Sequence, residues 1–519
     1  MTKAKFVSAE DAVLAIRDDM TVGVGGFGAY GAPETLLLAL ADRYTRKNVP
    51  RNLTVTCAAC PGDNTKADWG LNRIAKSGLI DTIIAAHFAN APLISGMVGR
   101  NEIAGYALPL GVMIHLYDAI AGHRPAVITN VGMGTYADPA NDCCRMNQRA
   151  VEQGRALVEK VTIDGKECLA YKPFPIHACL VRATYAAEDG NLSMEYNALG
   201  DFGFDLAAAT HNSGGIVIAE VKQVVQRGSM HPKKVRIHSS LVNYVVVSRS
   251  DLYLQGYASE YSPELCGEQR TPAKGLAPLA MSNRKVIARR CALELKRNCL
   301  INLGIGIPSG IGSVANEEGL EVSLSLESGP QGGVPVEGLG FGGSANPEAI
   351  YNLSDVFHLY DGGGLSMSFL GAAEIDSAGN VNVSKFGTRC PGPGGFINIS
   401  QNTQEVNFVG TFTAGGLVEK VENGKLVIVS EGTQKKFKKH VQQITFSGEY
   451  ARKTKRKVMY ITERAVFCLG ENGLFLTEIA PGIDLQKDVL DQMEFAPQMS
   501  SELKQMDLRI FREEPMKIA

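Results

Sequence analysis

The sequence predicts an α/β protein of two tandem, duplicated open α/β domains, with mostly parallel sheets covered by helices. Three observations predict it. A unit of helix, strand, glycine loop and helix stands near the start and recurs after residue 280, and alternation of this kind implies parallel strands buried on both faces. Shorter segments echo one another, Ala187-Glu-Asp-Gly-Asn-Leu-Ser193 resembling Ile375-Asp-Ser-Ala-Gly-Asn-Val-Asn382. Finally, 519 residues suffice for two cores at roughly 100–200 residues per domain.

In chain order, Ser8-Ala-Glu-Asp11 is a capping-box-like start to a helix with Val13, Leu14 and Ile16 on one side. Thr21 to Gly25 reads as a strand and Gly26-Phe-Gly-Ala-Tyr-Gly31 as a glycine loop. A helix from Thr35 to Ala41 follows, with Pro33 in its first turn, where the missing N–H costs nothing. The second copy reads as a helix from Val286 to Lys296, a strand from Cys299 to Leu303, a loop from Gly304 to Gly310 and a helix from Ile311 onward. Ser262-Pro263, Thr271-Pro272 and Ala277-Pro278 punctuate a stretch without periodicity between Tyr257 and Met281. The expected domains are therefore residues 1–270 and 281–519. Val458 to Leu469 and Leu474 to Ile479 flank Glu471-Asn472-Gly473, a hairpin signal.

Composition narrows the function. The chain is 45% hydrophobic and 20% charged, with mean hydropathy −0.03, as in folded water-soluble proteins. A formal charge of −2 supplies no global positive field, so nucleic acid is not expected as the main partner. Gly, at 56 residues, exceeds its usual share of about 7% and points to close approach of backbone to backbone or ligand. Eleven cysteines without a small secreted framework suit a reducing compartment. With neither a leader-like start nor an apolar run of the ~18 residues a membrane span needs, the expectation is cytoplasmic. Cys57 and Cys60 form a CxxC with no second pair or nearby His to complete a zinc site, and Cys143-Cys144 read as packing. No metal is expected. HExxH and GxSxG are absent, removing the core pieces of a zinc protease or serine hydrolase.

Gly26-Phe27-Gly28-Ala-Tyr-Gly31 matches GxGxxG between a strand and a helix, the context of a dinucleotide fingerprint. The acid that should follow the next strand is missing, because Leu53-Thr-Val-Thr-Cys57 runs into Ala58-Ala59. A close-packing loop and a ligand-facing loop remain as readings, the latter because glycine amides before a helix attract anions. More pointed is Val322-Ser-Leu-Ser-Leu326-Glu327-Ser328-Gly329-Pro330, where an alternating strand ends at a carboxylate and turns at once. A residue at the carboxyl end of a parallel strand faces the crevice where such sheets bind ligands. Glu220, at the end of the strand from Ile216 to Val221, is the rival carboxylate. The basic runs Lys435–Lys439 and Arg452–Lys457 read as solvated faces, with attraction of a phosphate-bearing ligand as the other reading.

Six motifs in order, Gly25-Gly-Phe-Gly-Ala-Tyr-Gly31-Ala-Pro33, Asn302-Leu-Gly-Ile-Gly-Ile-Pro308, Leu326-Glu327-Ser328-Gly329, Tyr360-Asp-Gly-Gly-Gly364, Gly379-Asn-Val-Asn-Val-Ser-Lys-Phe-Gly387 and Gly394-Gly-Phe-Ile-Asn-Ile-Ser400, resemble the family I coenzyme A transferases. The likeness spans the whole chain and is to the fused, single-chain acetate/propionate branch. It implies an active site at the domain interface, Glu327 as nucleophile carried by the second domain, and transfer of CoA between short-chain acids such as acetate, propionate and butyrate through a glutamyl-CoA thioester. It further implies acyl-CoA and carboxylate partners, no cofactor beyond CoA as substrate, and a homotetramer. Oxyanion and acyl-pocket residues carry over to Ile307, Gly394, Leu110, Gly111, Gly26, Phe27 and Gly28. CoA contacts carry over to Gly304, Ile305, Gly306, Ile307, Pro308, Gly394 and Gly395.

One departure stands out. Relatives commonly carry Gln in a Pro-Gln-Gly segment of the outer oxyanion hole, whereas this chain reads Leu108-Pro109-Leu110-Gly111, leaving only the Leu110 N–H as donor. Glu-Ser-Gly in place of Glu-Asn-Gly agrees with the fused branch. Two alternatives stay open at this point: an acyl-CoA hydrolase using the same glutamate, and a NAD-binding protein built on the glycine loops.

Overall fold

The computed structural model describes residues 4–272 and 278–518, so Ala277 of the expected seam lies outside the described residues. Those residues form two compact units. The first comprises the chain up to Pro272 together with Glu327–His358 and Lys385–Gly395. The second comprises the described residues from Pro278 to Leu326, Leu359–Ser384, and Phe396 onward. The break falls inside the expected seam, but one cut does not divide the molecule. Glu327, expected within 281–519, packs with the first unit.

Backbone chemistry explains why. Gly200 N–H donates to Ser328 O at 2.7 Å, Tyr351 N–H to Gly329 O at 3.0 Å, and the Tyr30 hydroxyl to Gly340 O at 2.7 Å. A Cβ on Gly200 would lie 2.2 Å from Tyr351 O, and one on Gly329 (φ +121°) 2.4 Å from Gly200 N. Two chain segments cross there at a distance only glycine permits.

The first unit is built on strands β1 (Lys5–Phe6), β2 (Thr21–Val24), β3 (Leu53–Thr56), β4 (Ile80–Ala85), β5 (Ala104–Ala107), β6 (Ala178–Ala187), β7 (Ile216–Val225) and β8 (Tyr244–Val247). They pair in the order β1-β8-β7-β6-β2-β3-β4-β5, every neighbouring pair parallel. Continuous burial along β2, β3 and β5 reflects helices on the sheet's faces. Among these helices, α1 (Glu34–Lys47) has Pro33 at its N-cap rather than in its first turn, and it ends at Asn48, whose φ of 56° closes it in the left-handed region. The largely apolar α2 (Leu110–Ala121) lies against α3 (Gly203–Asn212), where the Asn212 amide donates to Ala121 O at 2.7 Å. The opening helix is shorter than expected, Ala9–Ala12 followed by a tighter turn, and Leu14 faces solvent while Val13 and Ile16 are buried. That tightening rotates Leu14 away from its neighbours.

The second unit carries β9 (Leu300–Leu303), β10 (Ser323–Leu324), β11 (Met367–Gly371), β12 (Glu405–Val409), β13 (Lys457–Ile461), β14 (Ala465–Gly470), β15 (Gly473–Ile479) and β16 (Gln498–Gln505). Their order is β10-β9-β11-β12-β13-β14-β15-β16, parallel through β13. Val458 to Leu469 is two antiparallel strands rather than one, and the expected hairpin is present with Leu469 opposite Leu474. Helices α4 (Asn283–Ala292), capped by Ser282, and α5 (Gly310–Glu317) flank β9 in sequence. Each echoing segment is a hairpin, with Leu192 opposite Ala186 and Val381 opposite Ile375. No helix among the described residues is long and apolar enough to cross a membrane.

Candidate active site

In the first sheet the chain order reverses between β2 and β6. A cavity of about 40 Å³ opens there, lined by Gly26, Phe27, Arg182, Asn197, Gly200 and Phe202 among others. Such switch points at strand carboxyl ends are where open α/β sheets take ligands. Gly200, in the cavity wall, holds Ser328 O, so the cavity adjoins the peptide that carries Glu327.

Glu327 lies three residues beyond the end of β10. Part of its side chain reaches solvent, yet protein surrounds the carboxyl densely enough for burial to push its pKa up to about 7, opposed by a hydrogen bond from the Gly395 N–H, which favours the ionised form. Gly395 is fixed through its neighbour. Gly394 N–H donates to Ala86 O at 2.9 Å, while Gly394 O accepts from Leu110 N–H, at the start of α2, at 3.1 Å. Phe88 N–H donates to Pro391 O at 2.7 Å, and a Cβ on Gly392 would lie 2.7 Å from Ala86 O. The segment 391–394 is thus laid along the chain just beyond β4. The residue that follows, Gly395, presents a single N–H to the glutamate.

Hydrogen bonds occupy the amides of several residues expected in the oxyanion and acyl pocket. The amides of Leu110 and Gly394 satisfy backbone carbonyls and are not available to an oxyanion in this arrangement. Phe27 N–H is taken by Tyr30 O at 2.8 Å and Gly28 N–H by Ala59 O at 3.4 Å. Gly111, buried in the first turn of α2, also has an interaction of its own. The family resemblance implies each of them, but the bonds that occupy these groups join distant segments, which spacing cannot show. Gly395 holds Glu327, and the two hydrogen bonds of Gly394 fix Gly395 in place.

Gly304, Ile305, Gly306, Ile307 and Pro308 belong to the second unit, in the loop between β9 and α5. Gly304 N–H is held by Phe369 O at 2.8 Å, but the amides of Ile305, Gly306 and Ile307 have no acceptor among the described residues, and Ile305 is 64% exposed. The rival Glu220 is interior rather than terminal, because its strand runs on to Val225. Its buried carboxylate accepts from Leu36 N–H at 3.1 Å and from the Ser248 hydroxyl at 2.7 Å, and burial raises its pKa. The Sγ atoms of Cys57 and Cys60 are buried, 3.5 Å apart. In the basic runs, Lys438 pairs with Glu494 at 2.8 Å and Lys457 with Glu405 at 3.3 Å.

The segment Ala86-His87, not singled out in the sequence, proves central to this geometry. It follows β4 directly, so the signal that could have found it is its place at the carboxyl end of a buried strand.

A partly exposed carboxyl held by one N–H, near a cavity at a sheet switch point, is the candidate reacting group of this site. Comparison with known proteins places the chain in a family. Residues 6–248 match the family described as Coenzyme A transferase. The chain is 42% identical over 518 residues to a caffeate CoA-transferase of Acetobacterium woodii, covering 98% of each, and 40% identical over 512 residues to the acetate CoA-transferase YdiF of Escherichia coli K12, covering 98% of this chain and 95% of that one. The crystal structure of the acyl-CoA transferase YdiF apoenzyme from E. coli O157:H7 superposes with TM-score 0.94 at 38% identity, over 100% of this chain and 98% of that one. The chain belongs to the coenzyme A transferase family, and the enzyme is a CoA-transferase.

Proposed function

We propose that the enzyme moves CoA between short-chain acyl-CoA and carboxylic acids such as acetate, propionate and butyrate, by way of a glutamyl-CoA thioester on Glu327. The observation that carries this reading is the Glu327 carboxyl, poorly solvated and held by one N–H. A carboxylate in bulk water is a weak, heavily hydrated nucleophile. One stripped of water and half ionised near pH 7 attacks from a less stabilised ground state.

The steps balance without an added reagent. A Glu327 oxygen bonds to the acyl carbonyl carbon, the carbon–sulfur bond breaks, and CoA leaves as a thiolate, giving a mixed anhydride. The thiolate sulfur then bonds to the Glu327 carbonyl carbon, the carboxylic acid leaves as its carboxylate, and a glutamyl-CoA thioester remains. A second carboxylate reverses both steps and leaves as the new acyl-CoA. Each attack builds charge on an oxygen, where a positioned donor is worth roughly 3–4 kcal/mol. The amides of Ile305, Gly306 and Ile307, with no acceptor among the described residues, suit contact with CoA. The small cavity beside Ser328 supports a short acyl chain. Among the relatives, one E. coli YdiF structure is described as a thioester complex with CoA, at TM-score 0.92 and 38% identity, which supports the intermediate here.

The test is a half-reaction. With acetyl-CoA and labelled acetate but no second acid, label should enter acetyl-CoA at a rate comparable with full turnover. Steady release of free CoA with no exchange would instead make the enzyme a hydrolase.

A further inference from the structure

We propose that the His87 imidazole is an N–H donor to the oxygen that gathers charge as Glu327 attacks the acyl carbonyl. The inference rests on Glu327 being the nucleophile and adds a second group to that reaction.

The argument starts from the donors around Glu327 in the first unit. The amides of Leu110, Gly394, Phe27 and Gly28 are bound to backbone carbonyls, and the Gly395 amide holds Glu327 itself. A reaction that builds charge on an oxygen beside this carboxylate calls for donors there, since an uncompensated oxyanion in a poorly solvated place is costly. His87 lies beside the segment that holds Glu327. It is the second residue past the end of β4, and Ala86, just before it, accepts the Gly394 N–H. A Cβ built on Gly394 would lie 3.9 Å from His87 Cδ2, so the ring borders the residue next to Gly395, whose N–H holds Glu327. The His87 main chain is committed, its carbonyl accepting from Cys60 N–H at 2.9 Å. Its ring nitrogens have no hydrogen-bond partner among the described residues, although the residue is half-buried. Asn90, further along the same segment, lies against Gly28 instead.

The state of the ring suits the task. Burial alone lowers its pKa to about 4, so near pH 7 it is neutral, with one N–H to donate and no positive charge to pair with the Glu327 carboxylate in the ground state. An imidazolium would bind the carboxylate and blunt the nucleophile. A neutral imidazole pays that penalty only weakly and still responds to charge developing on the acyl oxygen.

The experiment compares His87→Leu with His87→Asn, side chains of similar size of which only Asn keeps N–H donors. Formation of glutamyl-CoA is followed by rapid quench and mass spectrometry after mixing with acetyl-CoA. The expected result is a rate about 100-fold lower in His87→Leu, with most of it restored in His87→Asn, an unchanged KM for acetyl-CoA, and native melting in both. A His87→Leu rate equal to wild type, or equal losses in both natively melting variants, would overturn the proposal. Should either variant fail to fold, wild-type enzyme is carbethoxylated with diethylpyrocarbonate. Loss of rate in step with modification of His87, and protection by acetyl-CoA, supports the role, whereas full activity with His87 modified contradicts it. Wild-type enzyme that forms no adduct would instead sink the glutamyl-CoA reading, so the two failures are distinct.

Discussion

The loops 26–31 and 304–310 share a sequence pattern, each following a buried parallel strand and preceding a helix, yet they differ physically. The first is closed on itself: Phe27 and Tyr30 exchange both backbone hydrogen bonds, Gly28 N–H binds Ala59 O, and the Tyr30 hydroxyl reaches Gly340 O. The second is open. Three successive amides, from Ile305 to Ile307, lack an acceptor among the described residues, and no atom lies within 4 Å of a Cβ built on Gly306. A glycine in the first loop makes room for backbone, while one in the second leaves room for something else. The two loops share one local pattern, and neighbouring segments decide which of them keeps its amides free.

The experiments that break or sharpen this contrast can be ordered by size. The largest effect falls outside both loops, at the carboxylate. Glu327→Gln should lower transfer by about 10⁴-fold, as removal of a covalent nucleophile does, measured as steady-state turnover with acetyl-CoA and propionate. A residual rate within tenfold of wild type would place the chemistry elsewhere. The same variant should melt higher than wild type at pH 8. The folded-state pKa of Glu327 is raised from 4.5 to about 7, so its stabilising contribution is complete below about pH 4.5 and is lost as pH rises through about 7. The difference is at most on the order of 3 kcal/mol, and less because part of the side chain reaches solvent.

Next is Gly26→Ala. At φ +99° a Cβ would sit 2.9 Å from Gly31 O, so the closed loop should lose about 3 kcal/mol of stability, seen as a lower midpoint in urea. Gly306→Ala, at φ +84° with open space around it, should cost only about 1 kcal/mol. Its effect should appear as a raised KM for acyl-CoA. Equal destabilisation by the two substitutions would erase the distinction between the loops. The pH profile is the gentlest test: kcat/KM for acetyl-CoA should fall about tenfold per pH unit below about 7 and level above it, because the nucleophile must be ionised.

How much of this was legible in sequence depended on distance along the chain. Strand β2, the 304–310 loop and the 473 hairpin were readable because periodicity and turn residues lie within a few positions of one another. Glu327 stood out because a short alternating strand, a carboxylate and Ser-Gly-Pro are contiguous. The placement of Glu327 in the first unit was not readable, since it rests on Gly200 meeting Ser328, 128 residues apart by their numbers. For the same reason the resemblance predicts free donors at Leu110 and Gly394, where each amide is bound by a carbonyl from a remote segment. Leu14 was misplaced by a smaller effect, one tightened turn. His87 carried no motif at all and acquires meaning only beside Gly394.

The central claim is tested most directly by mass spectrometry of the enzyme incubated with acetyl-CoA alone. The account predicts an adduct of CoA mass on the peptide containing Glu327, removed by hydroxylamine and missing from Glu327→Gln. Active enzyme that never carries this adduct, or carries it on another residue, would contradict the account.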